Sequence, residues 1–116
     1  MKESREFTKF RREFQKYQKR FGLNGYEVYF KYEPLEGVFA DITTSLDKSV
    51  VTCRLNSALP AKDKQLKDIH GTAKHEAIHL LLEEVAGAAR NRYVREEELE
   101  GAVERTVVKL AALIPD

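Results

Sequence analysis

The run His75-Glu76-Ala77-Ile78-His79 constrains this chain more than any other stretch. Two histidines four apart on a helix lie one turn above each other on the same face. Their ring nitrogens can then reach one ion at about 2.0–2.1 Å. The Glu beside the first His points near such an ion without having to ligate it. From there it can take a proton from a metal-bound water and hand it to a leaving group. Ile69 and Ala73 precede the run, and Leu80, Leu81, Leu82 and Val85 follow it. Apolar residues thus fall on most sides of this helix, which marks it as buried.

By itself such a trio also arises by chance as polarity on a helix surface. In a buried helix, two imidazoles and a carboxylate are costly unless paired or ligated. HExxH on a helix is the zinc metalloprotease arrangement, so a metal is the reading the context favours.

The totals bound what surrounds that helix. The chain has 116 residues, 42% of them hydrophobic, which is enough for one domain over residues 1–116 with one modest core. A net charge of +1 argues against a general polyanion binder. No apolar run approaches the 18 or so residues of a membrane span. Met1-Lys2-Glu3-Ser4-Arg5-Glu6 is charged and leads into a polar helix pattern, unlike a secretory signal. The single cysteine, Cys53, makes no internal disulfide, fits a reducing cytoplasm and reads as a small core residue.

Residues 4–21 read as a helix. Phe7, Phe10, Phe14, Tyr17 and Phe21 recur at steps of 3, 4, 3 and 4, one aromatic stripe, with Lys9, Arg11, Arg12, Lys16, Lys19 and Arg20 around the rest. The expected role is an amphipathic helix laying its aromatic face on a sheet, its basic side in water. Asn24-Gly25 marks a turn. Tyr26–Tyr32 alternates as a half-buried strand with Tyr26, Val28, Phe30 and Tyr32 on one face. Val38–Thr44 is a second strand with Val38, Ala40 and Ile42 inward. Ser49–Leu55 is a third. The short connections, Pro34-Leu35-Glu36-Gly37 and Leu46-Asp47-Lys48, favour an antiparallel meander. The metal helix is expected from about Lys64 to between Val85 and Arg90. Gly71 costs it about 1 kcal/mol relative to Ala and invites close approach of another backbone. His70 lies about 140° around the helix from His75, away from any shared ion. The last helix runs from Glu96 to Ile114 on a stripe of Leu99, Val103, Val107, Leu110 and Ile114, and Pro115 stops it.

A zinc site of this kind takes three protein ligands and a water. No His follows His79, so the third ligand is acidic, and the last helix offers Glu96, Glu97, Glu98, Glu100 and Glu104. In an antiparallel hairpin turning near Asn91–Tyr93, facing positions sum to roughly 184. His79 then faces the neighbourhood of residue 105, nearest Glu104. Glu100 serves if the helices cross steeply, and Gly101 beside it would allow that approach. Glu96–Glu98 suit the first helical turn, where acidic residues favour the helix dipole.

Three stretches together resemble the phage and bacterial ImmA/IrrE-like metallopeptidases, with SprT-like domains a second comparison. One is the strand Val50–Asn56, ending in Asn. Another is Thr72–His79. The third is a last helix with Glu104 eleven residues before Pro115, as that family's Glu precedes its closing Leu-Leu-Met-Pro. Arg105, Thr106, Val108 and Lys109 stand where that family has Ala-Asn and Phe-Ala, and Ile78 where Gly is common. The resemblance covers about residues 26 to 115. It implies a compact α+β zincin-like fold: an N-terminal helix, a three-stranded mainly antiparallel sheet, a metal-binding helix and a C-terminal helix. It implies a small cytoplasmic, phage-type peptidase with Zn2+ on His75, His79 and Glu104 and with Glu76 as general base. The substrate would be a protein or peptide bound extended along a sheet edge, for which the third strand is the expected edge. Membrane and nucleic acid are not expected partners. The alternative is a non-catalytic zincin-fold module that binds a partner through the basic aromatic helix. An adaptor without metal would require the HExxH to be accidental.

Overall fold

The computed structural model describes residues 4–45, 48–59, 68–90 and 95–116, without the side chains at 84 and 88. Helix α1 spans Arg5–Arg20, strands β1 Glu27–Glu33, β2 Ala40–Ser45 and β3 Val50–Asn56, and helices α2 Ile69–Arg90 and α3 Glu96–Leu113. The chain is α+β: a helix, a three-stranded sheet, then two helices. The expected helix start near Lys64, the Leu46–Asp47 turn and the Asn91–Tyr93 hairpin turn lie wholly or in part outside the described residues.

Among the described residues, the aromatic stripe of α1 supplies four of the eleven buried residues of the core cluster. Phe7, Phe10, Phe14 and Tyr17 are all buried. Phe14 meets Phe30 of β1 edge to face at 5.5 Å, and Phe7 stacks on Tyr32 at 5.3 Å. Arg5, Lys9, Arg12, Lys16 and Lys19 stay exposed on the outer side. The aromatic face is therefore committed to packing, and only the basic face is open to a partner. The core continues through Val51, Cys53 and Leu55 of β3 and Ala73, Ala77 and Leu80 of α2. The small residues of α2 let it lie close to the apolar sheet face. Burial pushes the Cys53 thiol well above its usual range, which suits an inert core residue.

The sheet departs from the expected meander. Its order is β1-β3-β2, with β1 parallel to β3 and β2 antiparallel to it. The third strand is therefore central, and it is not the edge that chain order implied. The reason is local. The segment between β1 and β2 steps across the end of β3, and Asn56 ties it there. Asn56 Nδ2 donates to the carbonyls of Leu35 and Val38 at 2.9 and 2.8 Å. Its Oδ1 accepts from the amides of Leu35 and Ala58 at 3.1 and 2.9 Å. An Asn this buried would be costly without those partners. The most apolar strand takes the middle position, where it has a partner on each side. Val38, expected inward, precedes β2 and is exposed.

Asp68 caps α2. Its Oδ1 accepts from the amide of Gly71 at 2.9 Å. A Cβ at position 71 would stand 2.9 Å from the Asp68 carboxyl carbon, so the close approach at Gly71 is by a side chain rather than a backbone. Helix α3 packs on α2; along it Leu99, Val103 and Leu110 are half-buried and Val107 is buried, as its periodicity predicts, and Ile114 just past its end is half-buried too.

Candidate metal centre

The helical repeat of α2 places His75 and His79 on one face, with their ring centroids 4.9 Å apart. Their Nε2 atoms are 3.2 Å apart. Glu104 comes from α3, across the helix pair. One carboxylate oxygen lies 2.7 Å from His75 Nε2 and the other 3.0 Å from His79 Nε2. The three residues form a group that could hold a metal ion, their ligand atoms all within 4.8 Å of one another. Two nitrogens on one tetrahedral zinc, each about 2.0–2.1 Å from it, stand about 3.3 Å apart, so the observed spacing fits the donor set.

The other candidates lie elsewhere. Glu100 is exposed and outside this group. Glu96, Glu97 and Glu98 are exposed in the first turn of α3, where Arg95 lies 3.8 Å from Glu97 and 3.7 Å from Glu98. His70 turns toward α1. Its Nε2 is 3.0 Å from the Tyr17 hydroxyl and its Nδ1 is 3.3 Å from Glu13.

Glu76 lies on the wall of the cleft beside this group and is only 7% exposed. Burial first, then the charges of Glu104 and Asp41, raise its pKa to about 8. The His79 pKa moves the other way. Burial lowers it, and the charge of His75 adds to that, while Glu104 opposes it. The His79 ring therefore favours the neutral form that ligates a metal.

The cleft has a volume of about 670 Å³. One wall is α2, from Gly71 through His79. The other is Val38–Ile42, the start of β2 and the residues before it. Among the described residues, β2 has a strand neighbour on one side only, β3. The amide of Asn56 donates to the Phe39 carbonyl at 2.8 Å, so odd-numbered residues of β2 bond to β3. In an antiparallel pair the alternate residues, Ala40 and Ile42, then turn their own N–H and C=O groups to the outer edge. Both line the cleft. Arg54, on the opposite face of the sheet, grips the Asp41 carboxylate with two nitrogens and reaches Glu33 at 3.1 Å. It fixes β2 against β3.

Residues 38–42 as a cleft wall were not legible in the sequence. The strand itself was expected, but its position in the sheet depends on the crossover that Asn56 secures.

No family model matches the chain, and no curated protein matches it. Among solved structures, the crystal structure of the metallopeptidase zymogen jannalysin from Methanocaldococcus jannaschii is similar. The match has 18% identity and a TM-score of 0.44, over 94% of this chain and 96% of that one. That likeness is distant.

Proposed function

We propose that this chain is a small zinc-dependent metallopeptidase, with His75, His79 and Glu104 as ligands and Glu76 as general base. One observation carries the reading. Two imidazole nitrogens and a carboxylate converge beside a buried Glu outside their group, in a cleft walled by a sheet edge that has no strand partner among the described residues. A bound zinc would supply a Lewis acid for the scissile carbonyl and bring the pKa of its water toward neutrality. Glu76 accepts the proton of the attacking water and returns it to the leaving amine. Burial favours the protonated form of Glu76, and the positive charge of a bound zinc beside it would favour the carboxylate that accepts that proton. The outward N–H and C=O groups of Ala40 and Ile42 hold the peptide extended by strand addition, its scissile bond facing α2. A structural metal would need no such base, and so the buried Glu76 favours catalysis over a purely binding role.

The test is zinc content and peptide cleavage on protein purified without a metal-affinity tag. The parent should carry near one zinc per chain and cleave members of a mixed peptide library. His75→Ala and Glu104→Ala should come through purification without metal, Glu104→Ala keeping only the weaker, titratable zinc affinity of its two histidines, while Glu76→Gln should keep the metal and lose cleavage. A parent that takes up no zinc, even when zinc is added back, sinks the proposal. Zinc uptake without cleavage of any peptide leaves a metal-bound binding module.

A further inference from the structure

We infer that Lys74 is a positioning residue for the third ligand: it clamps the segment after α3 and so fixes the rotation of α3 that points Glu104 at His75 and His79. The inference rests on the metal-centre reading. Lys74 is one of three buried polar or charged residues among those described, at 5% exposure. A lysine is rarely buried unless paired. Its Nζ donates to the Ile114 carbonyl at 2.5 Å and to Asp116 Oδ1 at 2.9 Å. Ile114 follows the end of the helix in an extended conformation, and its carbonyl has no helical partner. Two further groups support the clamp. Arg20 of α1 donates to the Pro115 carbonyl at 2.8 Å, and His70 Nε2 lies 3.4 Å from Asp116.

Helix α3 needs such a clamp. Among the described residues it packs on α2 and has no comparable contact with the sheet or α1. Val107 is its one buried residue, while Val108 is 58% and Leu113 77% exposed. Apolar contact is non-directional, so that stripe alone holds the rotation of α3 only softly. A rotation of 20° would move a side-chain tip by roughly 2 Å at a helix radius of 5–6 Å. That is enough to take a carboxylate out of a ligand set. Hydrogen bonds from a buried ammonium are directional, and they act at the end of α3 about 15 Å along its axis from Glu104.

The test is a double-mutant cycle on zinc affinity. The full chain competes with a chromophoric chelator as parent, Lys74→Met, Glu104→Ala and the double variant. Lys74→Met should weaken zinc binding about tenfold, as loss of a residue that orients a ligand does. In the Glu104→Ala background the same change should matter by less than about twofold, because Lys74 acts through Glu104. An equal loss in both backgrounds overturns the inference, since Lys74 would then act on α2 itself. No loss in the parent background overturns it as well. Asp116→Ala removes one partner of Lys74 at an exposed position and carries the same test if Lys74→Met does not fold. It too should weaken zinc only when Glu104 is present. A parent that binds no zinc at all defeats the metal reading first, before any variant is compared.

Discussion

Glu76 is the residue on which chemistry and stability meet. Burial holds its folded pKa at about 8, above the ordinary carboxylate value of 4.5. Below the lower value the carboxyl is neutral in both folded and unfolded chains, and its burial carries no charge penalty. As pH rises toward 8, the unfolded chain ionises freely while the folded one resists, so stability falls across that window. Metal-free protein should therefore lose Tm between pH 5 and pH 8, and Glu76→Gln should flatten that slope. Equal slopes in thermal melts of the two proteins would show that Glu76 is solvated. The same residue accounts for the expected activity loss. If Glu76 is the general base proposed above, Glu76→Gln should cost about 10²–10⁴-fold in kcat with the zinc content unchanged. At this scale much was legible: the spacing of His75, Glu76 and His79 follows from helical geometry alone. The choice of Glu104 over Glu100 needed the observed pairing of two helices.

At the scale of elements, Asn56 holds the sheet order. Three of its four hydrogen bonds join the end of β3 to the segment that crosses it, and the fourth holds the amide of Ala58 just after β3. Asn56→Leu would leave backbone groups of Leu35 and Val38 unsatisfied, at an expected cost of about 2–4 kcal/mol in urea unfolding. A cost within 0.5 kcal/mol, the usual range for surface substitutions, would show that the crossover holds without it. The outer edge of β2 makes a second prediction. If a peptide adds to that edge, N-methylation should matter at alternate amides only. Each methyl on a bonding amide should lower kcat/KM about tenfold, near 1.4 kcal/mol, the size of one such hydrogen bond. Uniform loss along the peptide would point to side-chain recognition instead. The three strands could be expected from alternation, but their order could not. Alternation says which face of a strand is buried and nothing about which strand lies beside it.

At the scale of the molecule, a metal on this site would cross-link α2 to α3, the helix with the fewest supports. Ligand binding to the folded state alone contributes about 2.7 kcal/mol at a hundredfold excess over Kd. For a domain of this size that should raise Tm by roughly 10 °C. Calorimetry with zinc and then with a chelator should show the rise and its reversal, and Glu104→Ala should shrink it. No helix among the described residues is long and apolar enough to cross a membrane.

The sequence by itself determined the elements and two of the three converging groups. Helical and strand periods, the aromatic stripe and the i, i+4 histidines are short-range consequences of backbone geometry, and nearby residues suffice to fix them. The tertiary structure decided what links distant residues. It put β3 at the centre, made β2 the cleft wall, turned Glu104 toward the histidines and buried Lys74 against Ile114 and Asp116. Those outcomes depend on a side chain meeting partners twenty to forty residues away, as Asn56 meets Leu35 and Lys74 meets Ile114. No local pattern encodes such a meeting, because its energy exists only once the chain has closed on itself.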